Sequence, residues 1–268
     1  MKYKFGFIGA GNMGSALAAG IGSSVEKGKL ALCDKDEAKA SSVAEKTGAV
    51  LTDSLDVAAN SEYVVIAVKP QALKATFDEI GGALKERKDR FVLVSMAAGT
   101  SIKKIKELSL ADYPVIRIMP NVPCAVGAGM TLCAKSDEVT SGELDYFVSS
   151  YSACGRIDVI EERFIDAYSI VTGCGPAYAY LMIEALADGA VKCGVPRDKA
   201  YVYTAQMLYG SAELMLETGK SPAELKDSVC SPGGTTIEGV AALEKAGFRS
   251  ALIDAVDASY RKTLEFNK

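Results

Sequence analysis

Apolar and polar positions follow different patterns in the two parts of the chain. Up to about residue 160, apolar runs of strand length alternate with segments of helical periodicity, which predicts a doubly wound parallel sheet. Beyond residue 161 the periodicity is almost entirely helical. The predicted strands are 3–8, 29–33, 63–68, 91–95 and 114–118, with extra strands at 130–134 and 156–160. The predicted C-terminal helices are 163–171, 176–193, 197–217, 222–229, 235–246 and 248–265. We therefore expect an α/β domain over 1–160 and an all-α domain over 161–268.

A glycine-rich segment, the glycine loop, follows the first predicted strand. The strand ends at Ile8, and the loop consists of Gly9, Ala10, Gly11, Asn12, Met13 and Gly14. In this spacing the first glycine permits a tight turn, the second lets the backbone approach a pyrophosphate, and the third lets the helix pack closely. Asp34 follows the second predicted strand, where an acidic residue binds ribose hydroxyls. A glycine-rich turn without a ligand is the alternative, but this setting favours a dinucleotide-binding (Rossmann) domain over 1–160.

Two further segments are predicted to border the cofactor, because ligands of open α/β sheets bind beyond the carboxyl ends of the strands. They are Ala67, Val68, Lys69 and Pro70 at the end of the third predicted strand, and Met96, Ala97 and Ala98 after the fourth. Small side chains would let a nicotinamide ring lie against the backbone. The alternatives are a plain strand-to-helix turn and, for Lys69, a surface lysine.

Charge and composition exclude several classes of protein. The formal charge of −4 and the lack of a basic stripe argue against a nucleic-acid partner. The seven cysteines include no C-x-x-C pair and the chain has no histidine, so we predict no metal site. The cysteines are interpreted as buried thiols of a cytoplasmic protein. The uncharged stretches 118–134 and 167–183 contain prolines and glycines, from which we predict no membrane span.

The predicted helix 197–217 carries apolar residues on more than one face, which requires burial. The helical domain has a limited interior of its own, so we predict a C2 homodimer formed through it. A core formed within one chain is the alternative.

A second glycine-rich segment, the Gly-Gly turn (231–236), precedes the predicted helix 235–246. Its backbone amides at a helix start form an anion site, and the hydroxyls of Ser231, Thr235 and Thr236 add donors. A carboxylate would fit there. Simple N-capping of the helix is the alternative interpretation.

These segments together resemble the pyrroline-5-carboxylate reductase family. The resemblance rests on the glycine loop, 67–71, 97–99, 117–123, 173–178, 183–189 and 231–237 with Leu243 and Glu244, and so runs through nearly the whole chain. It implies hydride transfer from NADH or NADPH to the C=N bond of L-1-pyrroline-5-carboxylate, giving L-proline in the last step of proline biosynthesis. It also implies substrate binding between the Rossmann and helical domains, and interlocked homodimers that often stack into decamers.

The resemblance also implies roles for residues of the Gly-Gly turn. The substrate carboxylate is expected at Gly233, Gly234, Thr235 and Thr236, with Ser231 at the start of the turn. No histidine is needed as a general acid, because a cyclic imine is basic enough to arrive protonated. We hypothesise that Thr236 is the catalytic residue that positions the ring nitrogen, and that Glu162 supplies a counter-charge to the cation. A solvated residue at a helix start is the alternative for Glu162.

Asp34 and Lys35 bear on the choice of cofactor. A carboxylate at this strand end accepts bonds from both ribose hydroxyls and repels a 2′-phosphate, whereas the neighbouring lysine can pair with that phosphate. The pair favours NADH and leaves either cofactor usable.

Three other functions compete with this interpretation. A β-hydroxyacid-type dehydrogenase needs a catalytic lysine in the first long helix of the helical domain, and here no lysine follows Thr172 before Lys192. A related imine reductase with another cyclic substrate fits the same motifs. A non-catalytic NAD(P)-binding sensor or scaffold would have no need of the Gly-Gly turn.

Overall fold

The computed structural model describes residues 1–266. Asn267 and Lys268, which the predicted helical domain includes, lie outside the described residues. The chain forms two compact units, Met1–Gly173 with the end of the chain from Thr263, and Cys174–Lys262. We call them the sheet unit and the helical unit.

The sheet unit is built on eight strands in the order β3-β2-β1-β4-β5-β6-β7-β8. Neighbouring strands are parallel except β6 and β7. The strands are β1 Tyr3–Ile8, β2 Leu30–Cys33, β3 Val50–Leu51, β4 Ser61–Ile66, β5 Val92–Ser95, β6 Val115–Met119, β7 Gly129–Lys135 and β8 Gly155–Val159. The doubly wound sheet predicted from the sequence is confirmed.

Seven α-helices accompany the sheet in this unit. They are α1 Asn12–Gly22, α2 Glu37–Thr47, α3 Ser54–Asn60, α4 Leu73–Glu86, α5 Ile102–Ser109, α6 Ser141–Ser150 and α7 Glu162–Ser169. One apolar layer joins the strands to α3, α4, α5 and α7, and the other joins them to α1 and α6. The central strands are apolar without alternation because both faces of the sheet are covered.

Two features of the sheet were not predicted. Strand β3 has two residues, too few for a recognisable pattern. Strand β7 runs antiparallel to β6 because the connection between them, which includes the short 3₁₀ helix Val122–Val126, is too short for a crossover to a parallel strand.

Helix α7 is bound to the sheet by a buried arginine. Arg117 on β6 is 4% exposed, and its guanidinium lies 3.1 Å from Glu162 Oε1 and 2.6 Å from Asp166 Oδ1. The division between the two units therefore lies after Gly173, whereas the pattern of the sequence placed it after residue 160.

A π-helical turn, Ile170–Cys174, connects α7 to α8 without an interruption in the helix. Pro176 has no amide hydrogen to give to the carbonyl of Thr172. Asn121 Nδ2 donates to that carbonyl instead, at 2.9 Å. The proline and glycines expected to interrupt this stretch therefore do not do so. By length and composition alone, the resulting helical segment Glu162–Lys192 is apolar enough to cross a membrane, which is weak support for a span.

The helical unit contains α8 Gly175–Lys192, α9 Arg197–Thr218, α10 Pro222–Ser228, α11 Thr235–Lys245 and α12 Phe248–Phe266 up to Lys262. Helix α8 packs against α9, and the Tyr178 hydroxyl hydrogen-bonds Ser259 Oγ at 2.6 Å. Between Cys174 and Lys262 only Ala187, Ala200 and Thr204 are buried within the chain.

Candidate functional site

The glycine loop lies where the strand order reverses, between β1 and its neighbours β2 and β4. Gly9 has φ 114°, and a Cβ there would lie 2.6 Å from the Ala67 carbonyl oxygen. A Cβ on Gly14 would overlap the Gly9 carbonyl and lie 3.0 Å from Ala67 Cβ. Gly11 is the N-cap of α1 and no side chain caps that helix. Its first amides are thus left for an anion, as in dinucleotide sites.

A cavity of about 640 Å³ opens at the carboxyl ends of β1, β2 and β4. It is lined by Ile8, Gly9, Gly11, Cys33, Asp34, Lys35, Glu37, Ala40, Ser41, Leu51, Thr52, Asp53, Ser54, Ala67, Val68, Lys69, Ala72, Thr76 and Glu79. A cavity at this switch point is where open α/β sheets bind nucleotides. We call it the switch-point cavity.

Eight of the residues predicted to bind cofactor line this cavity: Ile8, Gly9, Gly11, Asp34, Lys35, Ala67, Val68 and Lys69. The others lie beside it. Ala10 joins Gly9 to Gly11, while Asn12, Met13 and Gly14 form the first turn of α1. Pro70 begins a 3₁₀ turn after β4, and Met96, Ala97 and Ala98 follow β5. The amide of Met96 donates to the Ile66 carbonyl at 3.5 Å, which brings these two strand ends together.

Asp34 binds the glycine loop itself. Its Oδ2 accepts from the amide of Ala10 at 2.5 Å, and its Oδ1 accepts from the amide of Asp36 at 2.9 Å. The carboxylate is therefore fixed at the rim of the cavity, and each oxygen keeps a lone pair for a ribose hydroxyl.

Glu162 lies at the start of α7, in the sheet unit. Its Oε1 accepts from the amide of Ile102 at 2.6 Å as well as from Arg117. It also lines a second, more open cavity of about 750 Å³ beside α5 and β7. The Ile102 amide and the Arg117 guanidinium thus hold the Glu162 carboxylate within the sheet unit. Its role as counter-charge to the substrate stays a prediction.

The Gly-Gly turn lies in the helical unit and brings together Ser231, Gly233, Gly234, Thr235 and Thr236. Gly233 has φ 68°, and the amide of Gly234 donates to the Ser231 carbonyl at 3.0 Å. Gly234 is the N-cap of α11 and no side chain occupies the cap. The simple N-capping that was the alternative interpretation is therefore absent from this turn.

Several polar residues of the switch-point cavity were not predicted from the sequence. Thr52, Asp53 and Ser54 follow the two-residue strand β3, and Glu79 lies on α4. The Ser54 hydroxyl donates to Glu79 Oε1. A turn signal after β3 could have placed 52–54 at the sheet edge. Nothing local to Glu79 indicates the cavity.

Comparison with known proteins finds a matching family model for each part of the chain. Residues 162–266 match the family model for pyrroline-5-carboxylate reductase dimerisation, and residues 4–99 match the model for NADP oxidoreductase, coenzyme F420-dependent. The pyrroline-5-carboxylate reductases of Synechocystis sp. and Escherichia coli (strain K12) are 41% and 39% identical to the chain over 271 residues, covering 100% of each protein.

Among solved structures, the pyrroline carboxylate reductase of Plasmodium falciparum with NADP bound superimposes with a TM-score of 0.85 at 31% identity, covering 100% of both chains. The chain therefore belongs to the pyrroline-5-carboxylate reductase family, and it is an NAD(P)H-dependent oxidoreductase whose dimerisation domain implies a homo-oligomer.

Proposed function

We propose that the enzyme reduces L-1-pyrroline-5-carboxylate to L-proline with NAD(P)H, and that its two glycine-rich turns bind the two reactants. The glycine loop binds the cofactor pyrophosphate, and the Gly-Gly turn binds the substrate carboxylate. The cofactor supplies the hydride, while the protein orients the ring against the imine.

The observation that carries the substrate assignment is the open N-terminus of α11. A side chain at the N-cap would normally satisfy an amide of the first turn, and Gly234 provides none. The dipole of the eleven-residue helix favours an anion at this end. Ser231, Thr235 and Thr236 belong to the same short segment, and with hydrogen bonds from their hydroxyls a carboxylate there would gain further charge-assisted contacts.

The ring nitrogen needs a partner rather than an acid. A protonated imine already carries the charge that activates its carbon, and the chain contains no histidine. Thr236 positions this nitrogen with its hydroxyl oxygen as the acceptor. A carbonyl reductase would instead need a proton donor aimed at the substrate oxygen.

NADH is the preferred cofactor in this proposal, with NADPH also accepted. Asp34 supports it, because a fixed carboxylate accepts from ribose hydroxyls and repels a 2′-phosphate. Lys35 lines the same cavity and opposes the preference. A strong kinetic preference of the wild-type enzyme for NADPH would contradict this role of Asp34.

The substitution Thr236→Ala tests the substrate assignment. We expect kcat/KM for pyrroline-5-carboxylate to fall by about tenfold or more, because a hydrogen bond to a charged group is lost. The dissociation constant for NADH should not change. Thr218→Ala, an exposed threonine near the end of α9, serves as the matched control. Unchanged kinetics for Thr236→Ala would remove this residue from the site.

The reaction itself is tested by the loss of NAD(P)H absorbance with pyrroline-5-carboxylate, measured in parallel with the six-membered piperideine analogue. Faster reduction of the larger ring would indicate a related imine reductase. No reduction of either ring, with NAD(P)H still bound, would favour the sensor interpretation.

Assembly and location complete the proposal. The homodimer forms through the helical unit and stacks further into a decamer, which the apolar surface of α8 and α9 supports. The location is cytoplasmic, and the seven free cysteines of the chain support a reducing compartment.

A further inference from the structure

The switch-point cavity has a second polar wall besides the glycine loop. Ser54 is the first residue of α3, Glu79 lies on α4, and both line the cavity. The Ser54 hydroxyl donates its hydrogen bond to Glu79 Oε1. Thr52 Oγ1 beside them donates to Asp56 Oδ2 at 2.7 Å, so its proton is also directed away from the cavity.

This arrangement fixes which hydrogen bonds the wall can make with a ligand. A hydroxyl has one proton, and an ionised carboxylate can only accept. With its proton on Glu79, Ser54 offers the cavity lone pairs alone. Asp34, which lines the same cavity, is also an acceptor, and backbone amides hold both of its oxygens in place. A ribose 2′-hydroxyl can donate to such groups, whereas a 2′-phosphate has no proton to donate near neutral pH.

The charges around the cavity act in the same direction. Its lining includes the carboxylates of Asp34, Glu37, Asp53 and Glu79, against the ammonium groups of Lys35 and Lys69. Their effect is seen at Cys33, at the end of β2. Burial first, and then the negative charges of Glu79, Asp34 and Asp53, raise the pKa of its thiol to about 12. A phosphate dianion entering this region would meet the same negative potential.

We propose that Glu79 is a positioning residue for cofactor choice: it holds Ser54 as an acceptor for the ribose 2′-hydroxyl and thereby favours NADH over NADPH. This inference rests on the proposed binding of the cofactor in the switch-point cavity. To Asp34, which follows β2, it adds a second determinant on helix α4, whose effect depends on Ser54.

The experiment compares wild type with Glu79→Ala, Ser54→Ala and the double variant. For each, kcat/KM and the dissociation constant are measured with NADH and with NADPH. Glu79→Ala releases the Ser54 proton and removes a charge, so the NADPH/NADH ratio of kcat/KM should rise by about tenfold. The rise should be much smaller in the Ser54→Ala background, because the two residues act through one hydrogen bond. Glu86→Ala, at the exposed C-terminal end of the same helix and outside the cavity, is the matched control.

Each outcome decides a different claim. An NADPH/NADH ratio unaltered by Glu79→Ala, even with both cofactors bound more weakly, overturns the inference and leaves Glu79 a structural residue. If Glu79→Ala raises the NADPH/NADH ratio equally in the wild-type and Ser54→Ala backgrounds, Glu79 does not act by positioning Ser54. The charge of Glu79 alone would then explain the rise. If neither reduced cofactor binds the wild-type enzyme, the proposed function fails instead, which direct titration of cofactor fluorescence without substrate reveals.

Discussion

The two units of this enzyme bury their apolar residues in different ways. In the sheet unit, strands such as β1 and β4 lie between two helical layers, and large side chains such as Phe5, Phe7 and Tyr63 are at most 1% exposed. In the helical unit, Leu181 is 65% exposed and Val202 64%, although both belong to long regular helices. An apolar surface of this kind marks an interface. The sheet unit forms a core within one chain, whereas the helical unit leaves its apolar helices exposed within the chain, and its match to a dimerisation domain implies a homo-oligomer.

The two glycine-rich turns also differ in burial: the glycine loop is packed within the chain, whereas the Gly-Gly turn is exposed. The glycine loop is packed against β4, so Gly9 and Gly14 have no room for a side chain. The Gly-Gly turn has exposed residues on both sides, and nothing lies within 4 Å of a Cβ built on Gly233. One turn is therefore fixed by close packing, and the other by its backbone conformation alone.

Negative charges introduced on the exposed apolar face of the helical unit should have the largest effect, on association between copies of the chain. A Leu181→Glu, Val202→Glu variant would bury two unpaired carboxylates in the proposed interface, at a cost of several kcal/mol. We expect a monomer in light scattering or sedimentation, with association weakened by at least about a hundredfold. Leu110→Glu in the sheet unit, where the side chain is 91% exposed, should leave the mass unchanged. A dimer that survives the double substitution would place the interface elsewhere.

Gly9→Ala should have the next largest effect, on the cofactor. The new Cβ would meet the Ala67 backbone in a conformation that side chains rarely adopt, so the loop must move. We expect NADH binding to weaken by roughly a hundredfold or more in a fluorescence titration. Retention of wild-type affinity would show that the loop does not hold the pyrophosphate.

Gly233→Ala is the corresponding change in the helical unit. The backbone strain remains but nothing is overlapped, which costs about 1 kcal/mol. The KM for pyrroline-5-carboxylate should rise by roughly fivefold while NADH affinity is unaltered. Gly239→Ala, inside α11 with open space around it, is expected to change neither constant.

The smallest effect concerns Glu143, which forms a capping box with Thr140 at the start of α6. Arg90 also binds Glu143, at 2.6 Å, and holds the pKa of that carboxyl at about 2, below the usual 4.5. The stabilisation is therefore complete above pH 4.5 and is lost as the pH falls through 2. Arg90→Ala should lower the free energy of unfolding by about 1 kcal/mol at neutral pH and by less near pH 3.

Urea unfolding followed by circular dichroism at several pH values measures this difference. Arg249→Ala, which breaks the exposed pair with Glu244 in the helical unit, is the comparison and should cause no measurable change. An equal loss from both substitutions would mean that partial burial of Glu143 does not strengthen its pair.

Local patterns predicted most of the fold. The predicted helix 197–217 is observed as Arg197–Thr218, and the predicted strand 3–8 as Tyr3–Ile8. Such elements are recognisable because their periodicity and end signals lie within a few residues of one another. The family was recognised for the same reason, since its motifs are short and contiguous.

The site was predicted only where single segments form it. The glycine loop and the Gly-Gly turn each carry their geometry in consecutive residues, and the structure shows each as a turn that begins a helix. Ligand binding at both turns stays a prediction. The interpretation of 167–183 as an interrupted stretch was wrong, because the Asn121 side chain, distant in sequence, satisfies the Thr172 carbonyl beside Pro176.

The sequence by itself determined the two kinds of unit, the strands other than β3, the helices of the helical unit, the cofactor class and the family. The tertiary structure decided the antiparallel β7, the bonds of Asp34 to the glycine loop, the Arg117–Glu162 pair and the meeting of Ser54 with Glu79. The reason is physical: periodicity acts over neighbouring residues, whereas these contacts join side chains from different strands and helices. Their partners are chosen by the strand order and by connection lengths, and no local pattern encodes them.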